Sequence, residues 1–90
     1  MNEVFEALAH PVRREILKLL RKRPMSAGEL AEHFTIAKPT LSGHFSVLKK
    51  ADLVTTERQG TTIIYQVNMS VMEEALAAFM ALAGTKGKER

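Results

Sequence analysis

Cysteine and tryptophan are both missing from this chain, and its aromatics amount to four phenylalanines and one tyrosine. Without thiols the fold can rest on no disulfide and build no thiolate metal site, a composition suited to a reducing compartment. With so few aromatics, and Phe5, Phe34, Phe45 and Phe79 all set in apolar patterns, little is left to stack on unpaired RNA bases. Long apolar runs are missing too. The longest, residues 75–83 (ALAAFMALA), is nine residues where a membrane span takes about 20. The opening MNEVFEALAH carries acids where an export signal carries bases. His10, His33 and His44 fall on separate segments, and neither a carboxylate pair nor a glycine-rich phosphate loop is present. No enzyme is therefore expected, no cofactor and no membrane insertion; the expectation is a soluble cytoplasmic protein.

What is present is an ordinary globular mixture, 46% hydrophobic and 26% charged, in 90 residues. That is one domain over 1–90, with 84–90 as a polar tail. A chain this short buries only about 60–65% of the surface it exposes when unfolded, so a subunit interface would stabilise it. The formal charge is +3, and its distribution is uneven. Residues 10–60 hold ten bases against five acids, residues 1–9 are net acidic, and 61–90 balance. The electropositive middle suits phosphate, or is simply a solvated basic face.

The hydrophobic spacing organises the chain into helix, helix, helix, helix, hairpin, helix. Residues 2–8 form a short helix with Val4, Phe5 and Leu8 on one side. His10 suits an N-cap and Pro11 the first helical position, ahead of the apolar series Val12, Ile16, Leu17, Leu20. Arg21-Lys22-Arg23-Pro24 ends that helix, with cations compensating the dipole. Ser26 and Glu29 fit a capping box opening a short helix, which Thr35-Ile36-Ala37 interrupts. Lys38-Pro39-Thr40 starts the next, whose stripe is Leu41, Phe45 and Leu48. Two short helices joined by a tight turn are a helix-turn-helix. β-branched and aromatic runs at 53–56 and 61–67, with Arg58-Gln59-Gly60 as the turn, predict a hairpin. Ser70 and Glu73 fit a second capping box, and Gly84 a C-terminal stop. The predicted fold is mainly α with a β-hairpin wing: a winged helix-turn-helix.

Three segments resemble the ArsR-type winged-helix transcriptional repressors. Ala7-Leu8-Ala9-His10-Pro11-Val12-Arg13-Arg14-Glu15-Ile16-Leu17 is similar to the second-helix signature. Leu41-Ser42-Gly43-His44-Phe45-Ser46-Val47-Leu48 is similar to the recognition helix, followed by Ala51-Asp52-Leu53-Val54 where the family usually has Ala-Gly-Leu-Val. Arg58-Gln59-Gly60 with Tyr65 resembles the wing. The resemblance covers nearly the whole chain and implies a dimeric, sequence-specific DNA-binding repressor acting on a double-stranded operator, including an autorepressor. Metal-sensing members carry cysteines, or His and Asp ligands on the last helix. Here that helix offers only the adjacent Glu73 and Glu74, which point about 100° apart. The chain therefore resembles the small branch without metal ligands, and no metal site is expected.

On a helical wheel Pro39, Gly43, Ser46 and Lys50 lie opposite the apolar stripe, flanked by Thr40, Ser42 and Val47. Lys38, Thr40, Ser42 and Gly43 are the expected groove-facing group, with His44 at its margin or, alternatively, partly buried against a backbone carbonyl. Ser46 and Lys50 are expected at phosphates, and Arg58, Gln59 and Thr61 on the wing beside the minor groove. Lys49 falls near the core side of the wheel. Arg13 and Arg14 either contact phosphate or pair with Glu15 and Glu32. The last helix is apolar around most of its girth, so Val71, Met72, Leu76, Phe79 and Met80, with Val4, Phe5 and Leu8, are expected to form a two-fold interface. So short a chain is not expected to build a sizeable effector pocket as well as a core. Relief of repression is expected through protein concentration alone, or capture by a regulatory protein that covers the basic DNA face. The rival reading is a winged-helix protein-interaction module that binds no DNA.

Overall fold

The computed structural model describes residues 1–84 of the chain. Helix α1 spans Asn2–Leu8 and buries Val4 and Ala7. Helix α2, Pro11–Lys22, starts where the sequence indicates: His10 is extended, and its Nδ1 accepts from the Val12 amide at 3.1 Å. Its inner face is Ile16, Leu17, Leu19 and Leu20. Proline at 24 cannot continue the helix, and the chain leaves it through an extended Arg23.

Strand β1, Met25–Ser26, follows. The sequence reading contains no such strand, because two residues are too few for an alternating pattern to register. Ser26 also caps α3, Ala27–Ala31: its hydroxyl accepts from Glu29 N at 3.1 Å, and its own amide donates to Glu29 Oε1 at 2.9 Å. That amide holds the Glu29 carboxyl below its ordinary range. After the turn comes α4, Lys38–Lys50, with Pro39 in its first turn.

The end of α4 is a Schellman motif. Asp52 N donates to Lys49 O (2.9 Å), Leu53 N to Leu48 O (3.1 Å), and Leu48 and Leu53 are both fully buried. The geometry places Asp52 at φ 61, the left-handed region where glycine is unstrained. This is the position at which the sequence departs from the glycine usual in the family it resembles.

Strands β2, Val54–Gln59, and β3, Thr62–Val67, pair antiparallel, and β1 joins the other edge of β3, giving the order β1-β3-β2. Arg58 and Gln59 belong to β2, opposite Ile63 and Thr62, so the predicted turn at 58–60 shifts to the two-residue loop Gly60-Thr61. Gly60, at φ 66, supplies the positive φ that a tight hairpin needs. Helix α5, Met69–Ala83, is capped by Asn68, whose Oδ1 accepts from Val71 N at 3.4 Å, and not by the predicted Ser70–Glu73 box. The reason is tertiary. Asn68 N donates to Leu53 O at 2.9 Å, which fixes the helix start directly after β3. Gly84 ends α5 at φ 73, as expected; the rest of the predicted polar tail, residues 85–90, lies outside the described residues. The core centres on Ile16, Leu30, Leu48 and Leu53, with helices α1, α2 and α4 and the sheet all contributing.

Candidate nucleic-acid interface

Helix α4 has two chemically distinct sides. Leu41, His44, Phe45 and Leu48 are buried, and Phe45 rests on Tyr65 of β3 with ring centroids 5.0 Å apart. Lys38, Thr40, Ser42, Gly43, Ser46 and Lys50 are exposed, as the wheel predicts. A Cβ built on Gly43 would meet nothing within 4 Å, so the glycine leaves an open gap on the outer face. Lys49, read from the wheel as near the core, is exposed and adds a cation at the same end. No side chain caps the first turn of α4, so the positive end of its dipole stays available to an anion.

His44 departs from its expected place at the groove margin. It is 9% exposed and faces inward. Its ring lies against His10 (centroids 4.4 Å, planes at 50°), and its Nδ1 is 3.1 Å from Arg13 Nη1. Neither is its partner the backbone carbonyl offered as the alternative. Burial, and then the nearby His10 and Arg13, lower its pKa below 6.5. Arg13 and Arg14 have backbone partners that the sequence reading did not offer. Arg13 donates to Ala7 O (2.8 Å) and Glu6 O (3.0 Å), and Arg14 to Leu8 O (2.8 Å), which satisfies the last carbonyls of α1. Neither arginine pairs with Glu15 or Glu32. Arg23, read as dipole compensation, makes an exposed salt bridge to Glu29 at 3.3 Å.

The wing brings Arg58, Gln59 and Thr61 together at its exposed tip. Between α3, α4 and β3 an open groove of about 270 Å³ is lined in part by Lys38, Ser42 and Tyr65. Among the described residues no group of three or more His, Cys, Asp or Glu side chains is placed to hold a metal ion. None of their helices is long and apolar enough to cross a membrane.

Of the expected interface residues, Leu76 and Phe79 are about 60% exposed, and Met80 is exposed as well. Phe5, Leu8, Val71 and Met72 are half-buried. Leu82 and Met69, absent from the predicted set, are also exposed. Val4 is a correction: at 6% exposure it is part of this chain's own core and cannot present its side chain to a second copy. An open apolar groove of about 350 Å³ runs between Phe5, Leu8, Met72, Leu76 and Phe79. This open groove is not the enclosed pocket that the expectation for so short a chain concerned.

Residues 8–57 match the sequence model of a helix-turn-helix domain family. The transcriptional repressor SdpR of Bacillus subtilis is 43% identical over 76 residues, which cover 84% of each chain. The arsenical resistance operon repressor of Staphylococcus xylosus is 37% identical, over 81% of this chain and 70% of its own length. Among solved structures, an ArsR-like transcriptional regulator from Rhodococcus superposes with a TM-score of 0.80 at 26% identity, covering 93% of this chain and 78% of that one. NolR from Sinorhizobium fredii does so at 0.72 and 36%, covering 92% and 83%. The two-sided α4, the hairpin beside it and these relatives agree: the chain belongs to the ArsR-type family of winged helix-turn-helix transcriptional regulators.

Proposed function

We propose that this protein is a sequence-specific DNA-binding repressor that acts as a homodimer on double-stranded operators, its own promoter among the candidate targets. The observation that carries the reading is the exposed outer side of α4, where Lys38, Thr40, Ser42, Ser46 and Lys50 surround the gap at Gly43. A helix in the major groove has to present short polar and basic side chains while its other side stays anchored. Lys38, Thr40, Ser42 and Gly43 face the base edges, while Ser46 and Lys50 hold phosphates. Arg58, Gln59 and Thr61 reach the adjacent minor groove or its phosphates.

The reading treats residues 1–90 as one domain, working in the cytoplasm. The second copy docks on the apolar surface of Phe5, Leu8, Leu76, Phe79 and Met80. Its support is area: large side chains left in water on two neighbouring helices are costly for a small monomer. Repression is relieved without metal, either by a fall in protein concentration or by a regulatory protein that covers the α4 face. Selection of bound fragments from random DNA, followed by footprinting, tests the reading. A palindromic consensus with protected half-sites is the expected result; binding that ignores sequence would overturn the specificity, and no DNA binding at all would leave the protein-interaction reading in its place.

A further inference from the structure

A second open groove, of about 340 Å³, lies between α2, the end of β3 and the start of α5. Leu17, Met69 and Met72 contribute to its apolar floor, and Met69 is 45% exposed. Arg14, Lys18 and Arg21 edge it at i, i+4 and i+7, one stripe along α2. Arg14 spends one guanidinium nitrogen on Leu8 O, and among the described residues neither Lys18 nor Arg21 has a hydrogen-bond or ion-pair partner. None of the groove's lining residues is acidic.

We infer that this groove is a docking surface for an acidic amphipathic helix of a partner protein. Charge complementarity selects the occupant. Three cations along one edge of an apolar floor match a helix that presents apolar anchors at i, i+3 or i+4 and i+7, with carboxylates flanking them. Methionine suits such a floor, because its unbranched, polarisable side chain repacks against different shapes. A phosphate backbone fits less well, since it would press charged oxygens onto Leu17, Met69 and Met72 with no donor from the floor. The surface is separate from the DNA face, because no residue of α4 or β2 lines it. It adjoins the apolar groove assigned to the second copy, Leu8 and Met72 lining both. A helix docked here therefore contacts the edge of the dimer seam while leaving Lys38–Lys50 uncovered. The inference does not depend on DNA binding.

The test displays a library of random helical peptides, about 16 residues or roughly four turns long, against the full chain. The expected winners carry Glu or Asp flanking an apolar stripe. Their binding should weaken with added salt and fall about tenfold or more on the double variant K18E/R21E. Amide shifts of the wild-type chain on peptide addition should map to α2 and the start of α5, a readout that needs no variant to fold. Operator affinity of K18E/R21E should stay within about threefold of wild type, with an unchanged salt slope. Winners without acidic bias, no winners, or shifts centred on α4 would each overturn the inference. So would a salt slope lowered by about two, which would make Lys18 and Arg21 phosphate contacts, or a groove already covered by the second copy in the free dimer.

Discussion

Arg13 Nη1 stands 3.1 Å from His44 Nδ1, joining the start of α2 to the buried side of the recognition helix. Guanidinium only donates, so this nitrogen of His44 must accept, and the ring is neutral. The same arginine holds the carbonyls of Glu6 and Ala7. One side chain thus ties the end of α1 to the inner face of the helix proposed to read DNA.

Removing that tie is expected to cost more than a surface contact. Arg13→Ala leaves the Ala7 carbonyl and a buried imidazole nitrogen without a partner, while Glu6 O keeps the Ala9 amide, a loss of about 2 kcal/mol in unfolding free energy. Urea denaturation measures it. A change no larger than that of an exposed control such as Lys22→Ala would show the tie to be energetically idle.

Acid should destabilise the protein through His44. In the unfolded chain this histidine takes up a proton near pH 6.5, whereas in the fold burial and the neighbouring His10 and Arg13 hold its pKa lower. As pH falls below 6.5 the unfolded state binds the proton first, so stability is complete above that value and declines towards the folded pKa. Unfolding midpoints from pH 7.5 down to about 5 should fall for wild type and flatten in His44→Gln, above the range where ordinary carboxylates titrate. Parallel slopes in the two proteins would remove His44 as the cause.

On DNA the variants should divide into two classes. Lys38→Ala and Ser42→Ala are expected to reduce specific binding more than non-specific binding, by about 1–3 kcal/mol where a base contact is lost. Lys50→Ala and Arg58→Ala should weaken both together and lower the salt slope by about one each. Titrations over several salt concentrations on operator and random DNA separate the classes; equal losses on every sequence for all four would refute the division.

Phe79 is about 60% exposed in the protomer, so Phe79→Asp should leave the monomer folded and split the dimer. Sedimentation of wild type as a dimer and of the variant as a monomer with native circular dichroism is the expected pair. A wild-type monomer at micromolar concentration, or a variant that still dimerises, contradicts the interface.

The winged helix was legible because its signals are local. His10 before Pro11, Ser26 three residues before Glu29, and Gly84 after the last apolar residue each act within one turn of helix. The exposed side of α4 followed from the spacing of Leu41, Phe45 and Leu48. Contacts between distant segments left no such trace. The Arg13–His44 contact spans 31 residues, which is why His44 read as a groove-margin residue or one held by a backbone carbonyl, and Arg13 as a phosphate contact or a partner of Glu15 or Glu32. Asn68 displaced Ser70 as the cap of α5 because Leu53 O holds its amide, a partner that only the folded chain supplies. Val4 matched its neighbours in pattern, and only packing separates a core valine from an interface one.

Ser26 occupies two structures at once. It sits opposite Ile64 in the sheet, and it exchanges both hydrogen bonds of the capping box with Glu29. The strand that carries the wing and the first helix of the helix-turn-helix therefore share a hinge pin. Opening of β1 that displaces Ser26 also gives up the cap of α3. Phe45 of α4 rests in turn on Tyr65 of β3, so packing ties the helix proposed for the major groove to the hairpin proposed for the minor groove, and their relative angle is biased before DNA is met.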